Sequence, residues 1–124
     1  MTTAGERFAH ALAARDSAGL RAVLAGEVDF AALTPSRHWL ATDPAEIVDD
    51  VVFGRWFGPG REILELCSVT TARVADCEHV TYRLLVRRDG LDHLVEQQAY
   101  YTTCDGTIDW LRVLCSGYRI LVPG

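Results

Sequence analysis

From Val80 to Tyr118 apolar and polar side chains alternate through three runs, VTYRLLVRR, HLVEQQAYYTT and TIDWLRVLCSGY. They are separated only by Asp89-Gly90-Leu91-Asp92 and Cys104-Asp105-Gly106. A period of two is the signature of a strand, and Asp-Gly between two such runs is a strong hairpin signal, because glycine reaches the positive φ of a tight connection. Three strands folded back on one another by two hairpins are therefore expected. On the middle strand Glu96, Gln98 and Tyr100 share one face, with Val95, Ala99 and Tyr101 on the other. Both faces carry large side chains, so both should be covered.

Upstream the period changes. Thr3-Ala-Gly-Glu6 has the form of a capping box, and Phe8, Ala11 and Leu12 then recur at helical spacing. Asp16 is placed to end that helix and cap a second, with Leu20, Val23 and Leu24 as its apolar stripe and Gly26 closing it. Val28 to Leu33 reads as a short strand ending at Pro35. The stretch PSRHWLATDP follows no period, and irregular stretches are where binding residues concentrate. Asp43-Pro-Ala-Glu46 is a helix start, with Asp as N-cap and Pro at the first helical position. Ile47, Val48, Val51, Val52 and Trp56 give that helix a buried face, and Gly58-Pro59-Gly60 breaks it. Glu62 to Ala75 reads as a long strand. Helices followed by antiparallel strands make an α+β layer fold, and 1–124 reads as one domain.

Composition narrows the classes. The 49% hydrophobic content of the 124 residues suits a buried core, and 12 basic against 17 acidic residues give a formal charge of −5. The basic residues are scattered, with Arg87-Arg88 the one adjacent pair, so a nucleic-acid partner is not expected. No apolar run approaches the roughly 20 residues of a membrane span, and the N-terminus lacks a signal-peptide pattern. A cytoplasmic protein with no membrane partner is the expectation. Cys67, Cys77, Cys104 and Cys115 show no C-x-x-C spacing, which predicts four free thiols and no metal site.

The opening FAHALAARDSAGLRAVLAGEVDF, the helix start DPAEIVDD and the closing YYTTCDGTIDWLRVLCSGY together resemble the nuclear-transport-factor-2-like superfamily. That group includes ketosteroid isomerases and SnoaL-like polyketide cyclases. The resemblance covers essentially the whole chain. It implies a cone-shaped, curved antiparallel sheet wrapped around N-terminal helices, a pocket between them, frequent homodimers and no cofactor. It also implies where activity would sit, and there this sequence departs from the pattern. Phe8 stands at the position of the isomerases' oxyanion-hole Tyr, about Ala32 at their general-base Asp, with Thr34 the nearest polar alternative, and Gln98 at their second oxyanion donor. Leu114 to Gly117 stands where the cyclases carry an acidic residue.

By the same comparison Tyr82, Leu84, Val86, Glu96, Gln98, Tyr100, Asp109, Leu111, Val113 and Cys115 are expected to face the pocket, opposite Phe8 and Leu12. Glu96 is the candidate acid/base, since burial would raise its pKa; the alternative is a rim carboxylate paired with Arg83 or His93. Gln98 is its candidate hydrogen-bond partner, able to donate and accept. Arg37, His38 and Trp39 are expected across the pocket mouth, with Arg37 able to clamp an anion. The function expected is binding of a small molecule in an apolar pocket, with isomerisation, dehydration or cyclisation of a carbonyl compound as the chemistry to look for. The alternative is a non-catalytic binding or dimerisation module. A homodimer is expected through the convex sheet face, with Trp110, Arg112, Leu114, Tyr118, Tyr101 and Val95 upon it.

Overall fold

A computed structural model describes residues 2–121. Helices α1 (Ala4–Ala13) and α2 (Ser17–Val23) lead into strands β1 (Leu24–Thr34) and β2 (Arg37–Ala41). Helix α3 (Glu46–Trp56) follows, then β3 (Arg61–Val74), β4 (Cys77–Arg88), β5 (Leu91–Cys104), β6 (Thr107–Cys115) and the short β7 (Arg119–Ile120). One mixed sheet runs in the order β2-β1-β6-β5-β4-β3, with β7 paired to β5 beyond the end of β6. Every pairing is antiparallel except β1 with β6.

Local chemistry explains most boundaries. The Thr3 hydroxyl accepts from the Glu6 N–H at 3.1 Å while the Glu6 carboxylate reaches back to the Thr3 N–H, a complete capping box. Asp16 caps α2 through the Gly19 N–H at 2.9 Å, and Asp43 accepts from the Ala45 N–H at 3.0 Å where α3 begins. PSRHWLATDP is more ordered than its composition predicts. Arg37–Ala41 pairs back on β1 across the two-residue turn Pro35-Ser36, which Thr34 staples by donating to the Arg37 carbonyl and accepting from the Trp39 indole.

Helix α3 is wound as a π-helix, with hydrogen bonds reaching five residues back, as from the Phe57 N–H to the Val52 carbonyl at 2.8 Å. The wider turn puts Trp56, rather than Arg55, on the buried side with Ile47, Val48, Val51 and Val52. Gly54 permits it, since a Cβ there would stand 2.7 Å from the Asp49 carbonyl oxygen.

Register shifts in β1, β3 and between β5 and β6 bend the sheet. Phe8, Leu12, Leu20, Ile47, Val48 and Val52 from the helices meet Phe30, Tyr82, Leu84, Val86, Leu111 and Val113 from the concave face in one core. Val80, Tyr82, Leu84 and Val86 of β4 point inward. Cys67, Cys77, Cys104 and Cys115 are all unpaired. No helix among the described residues is long and apolar enough to cross a membrane.

Candidate functional site

The middle strand of the hairpin unit positions the site, and its parity follows from the turn before it. Asp89 and Gly90, both at positive φ (54° and 76°), form a two-residue loop that pairs Arg88 with Leu91. Each inward, even-numbered residue of β4 then faces an odd-numbered residue of β5: Tyr82 opposes Gln97, Leu84 opposes Val95 and Val80 opposes Ala99. The concave face of β5 is therefore His93, Val95, Gln97, Ala99 and Tyr101, all buried.

This reverses the expected face. Glu96, Gln98 and Tyr100 lie on the convex side opposite Arg83, Thr81 and His79. Glu96 sits 3.6 Å from Arg83 as a partly exposed surface pair, and Gln98 and Tyr100 touch His79. The two expectations, Tyr82 inward and Glu96 inward, are incompatible across a two-residue hairpin. Asp109 is also outside. It occupies the extra position between the Thr103–Ile108 and Thr102–Trp110 pairs, where its carboxylate accepts from the Thr102 hydroxyl at 2.7 Å. That bulge lets Ile108 and Leu111 both face the core.

A cavity of about 250 Å³ lies between the end of α3, the Pro35-Ser36 turn, the concave faces of β5 and β6 and the segment after β6. Val95, Gln97, Cys115, Trp56, Phe57, Thr34 and Tyr118 form its walls, and Arg55, Arg61 and Arg88 also line it. Of the residues expected at a pocket, Cys115 is on its wall. Phe8, Leu12, Tyr82 and Val113 are core side chains behind it. Arg37 stacks over the outer Trp39 ring at 4.0 Å, His38 is exposed and Trp39 is tied to Thr34, so none of the three crosses its mouth.

Two buried amide and indole nitrogens set the chemistry. Gln97 is 0% exposed, and its Oε1 accepts from the Tyr82 hydroxyl at 2.6 Å. Burial, and secondarily the neighbouring Cys115, push the Tyr82 pKa well above the usual phenol range, so the hydroxyl stays protonated and donates. The amide oxygen is thereby committed to Tyr82, and Nε2 is left with no partner. Trp56 Nε1 is in the same condition; these are the two buried, unpartnered side-chain polar atoms among the described residues. Both belong to residues that line the cavity. Buried donors are ordinarily satisfied, so two at one cavity call for a partner.

The far wall is made by a break in the last strand. Ser116 stays beside β5 by exchanging hydrogen bonds with the Glu96 backbone, then Gly117 turns at φ 78° and Tyr118 swings inward. A Cβ on Gly117 would stand 2.7 Å from the Pro35 ring, so only glycine closes this corner. The Tyr118 hydroxyl donates to the Trp56 carbonyl at 2.5 Å, and its ring lies under Arg61 and Arg88. Burial, partly opposed by Arg61 and Arg88, pushes its pKa up to about 12. It too is a fixed donor.

Electrostatically the cavity runs against the chain. The protein carries −5, yet three arginines and no aspartate or glutamate line this cavity. Arg88 has only a loose 3.8 Å contact to the exposed Asp89, and no carboxylate among the described residues pairs with Arg55 or Arg61. Arg61 instead holds the Arg55 and Trp56 carbonyls. No group of three or more His, Cys, Asp or Glu among the described residues is placed to hold a metal ion.

Several of these residues escaped the sequence reading. Gln97 and Val95 were recoverable from the length of the Asp89-Gly90 turn, whereas Trp56 depended on the π-winding. Tyr118 depended on where β6 breaks, for which Gly117 is the one local sign.

No family model matches the sequence, and no curated protein matches it. Solved structures do. A candidate isomerase from Bacillus subtilis superposes with a TM-score of 0.74 at 14% identity, over 91% of this chain and 84% of that one. A candidate polyketide cyclase from Pseudomonas putida gives 0.68 at 12% identity, over 91% of both chains. A candidate ketosteroid isomerase from Kribbella flavida gives 0.58 at 13% identity, over 98% of this chain and 81% of that one.

Proposed function

From the nuclear-transport-factor-2-like fold of this chain we propose that the protein binds a small organic molecule in the concave cavity and hydrogen-bonds an oxygen of it through Gln97 and Trp56. The observation that carries this is the pair of buried, unpartnered N–H groups on two residues that line one mainly apolar cavity. Leaving such groups unpaired costs about 1–3 kcal/mol each, a cost that a ligand oxygen would remove. The isomerase and cyclase neighbours make a carbonyl compound the natural ligand class. Donors aimed at a carbonyl oxygen stabilise the charge that develops there on enolisation. Because Glu96 lies outside and no carboxylate among the described residues lines the cavity, a carboxylate base like that of the ketosteroid isomerases has no counterpart among them.

Native mass spectrometry of the protein after exposure to a metabolite extract tests it. The expected result is a one-to-one adduct that is lost in Cys115→Phe, where the larger ring fills the cavity. Absence of any adduct, or one that survives this substitution, would overturn the reading.

We further propose that the chain pairs with a second copy through the convex face, in a corrected version of the expected surface. Tyr101 and Val95 are buried inside and Tyr118 lines the cavity, so they do not contribute. Leu33 (51% exposed) and Leu114 (46%) are paired neighbours there, flanked by Leu40, Trp110 and Arg112. Clustered exposed leucines of this kind mark interaction surfaces. Sedimentation at micromolar concentration is expected to give twice the 13.7 kDa chain mass and a single-chain species for Leu114→Glu. A single-chain wild type would refute the pairing.

A further inference from the structure

We infer that the ligand of this cavity is an organic anion, a carboxylate on an apolar body of about one ring. The inference rests on the small-molecule reading above and adds the charge of the ligand to it. Three features converge. The unpartnered buried side-chain N and O atoms among the described residues are both donors, Gln97 Nε2 and Trp56 Nε1, and both belong to residues that line this cavity. A ligand that both donates and accepts would have only half its needs met there, while a carboxylate, which only accepts, fits.

The second feature is charge. Arg55, Arg61 and Arg88 bring three guanidinium groups to one cavity with no lining carboxylate among the described residues, in a chain whose net charge is −5. A locally positive recess on an acidic protein repels cations and raises the local concentration of anions. Arg61 and Arg88 are held against the Tyr118 ring at 5.4 and 5.0 Å, which fixes them at this site rather than in free solution.

The third is size and lining. A cavity of about 150 Å³ lined by aliphatic and aromatic groups holds benzene, so the present 250 Å³ admits one ring with a short acidic side chain. Val95, Phe57 and the Tyr118 ring supply the apolar wall against which such a body would lie.

The experiment compares matched pairs by calorimetry: phenylacetate, 3-phenylpropanoate and 1-naphthoate, each against its primary amide. In parallel, the Trp56 indole N–H, assigned by its loss in Trp56→Phe, is followed by NMR. At least one carboxylate is expected to bind at least about tenfold more tightly than its amide. Added salt should shrink that preference, and the Trp56 N–H resonance should move downfield. Gln97→Met and Trp56→Phe should each lower the carboxylate-to-amide ratio at least about threefold, and Arg55→Gln should lower it without weakening the amide. Trp56→Phe carries the test if Gln97→Met folds poorly. Equal binding of acid and amide, or a ratio unchanged in Trp56→Phe, overturns the anion inference and leaves small-molecule binding standing. Failure of every acid and every amide to bind removes both.

Discussion

Gly5→Ala is expected to lower the unfolding free energy by about 1–3 kcal/mol, against the direction that helix propensity alone would give. Within a helix, alanine is ordinarily favoured over glycine by about 0.5–1 kcal/mol. At Gly5 a methyl group would stand 2.7 Å from the Tyr101 hydroxyl and 2.9 Å from the Val80 Cβ, both on the buried sheet face. The contact is close because the Gly5 N–H, one of the N–H groups left open at the start of α1, donates to the Tyr101 hydroxyl at 2.9 Å. Tyr101 is 2% exposed and has no room to retreat. A Cβ therefore either lifts α1 from the sheet or breaks that hydrogen bond. Gly26→Ala is the control: it is exposed, meets nothing within 4 Å, and should leave stability within about 0.5 kcal/mol of wild type. Denaturant midpoints for the two variants decide the matter, and a stabilised Gly5→Ala would show that the helix is not seated as described.

Gly5 also shows which parts of the fold were legible. Features set by neighbours in sequence were readable: the Thr3/Glu6 box, the Asp16 cap, the Asp43-Pro44 start and both Asp-Gly hairpins. The resemblance anticipated the sheet wrapped on helices. What failed depends on counting residues across a partner strand. The face of β5 cannot be chosen from its own alternation, because His93, Val95, Gln97 and Glu96, Gln98, Tyr100 are equally mixed. It is set by β4 through the length of the turn, a step the face assignment for Glu96 did not take. Arg37–Ala41 was missed as a strand because its pairing with β1, not its composition, makes it one. The parallel β1–β6 pairing joins segments some 80 residues apart and leaves no local trace. The cavity combines three such non-local events: the β5 parity, the π-winding that turns Trp56 inward and the break at Gly117. The site was therefore harder to foresee than the scaffold.

The Tyr82–Gln97 pair is the place to ask whether this site is kept at the expense of stability. Tyr82→Phe leaves the Gln97 amide, 0% exposed, with neither its oxygen nor its nitrogen paired. It should destabilise by about 1–3 kcal/mol. Gln97→Met strands the fully buried Tyr82 hydroxyl and should cost a similar amount, reduced by the removal of the unpartnered Nε2. The double variant removes all of these polar atoms while nearly conserving volume. Replacing both members of a buried hydrogen-bonded pair with apolar groups can be neutral or stabilising. The double variant is therefore expected to unfold at or above the wild-type denaturant midpoint, well above the sum of the single losses, with a coupling of about 1–3 kcal/mol. It should at the same time lose the carboxylate preference of the cavity. A chain that gains stability by discarding this pair carries it for a ligand rather than for the core. A double variant that unfolds well below the wild-type midpoint would show instead that the pair contributes to the core, and would withdraw the claim that it is carried for a ligand.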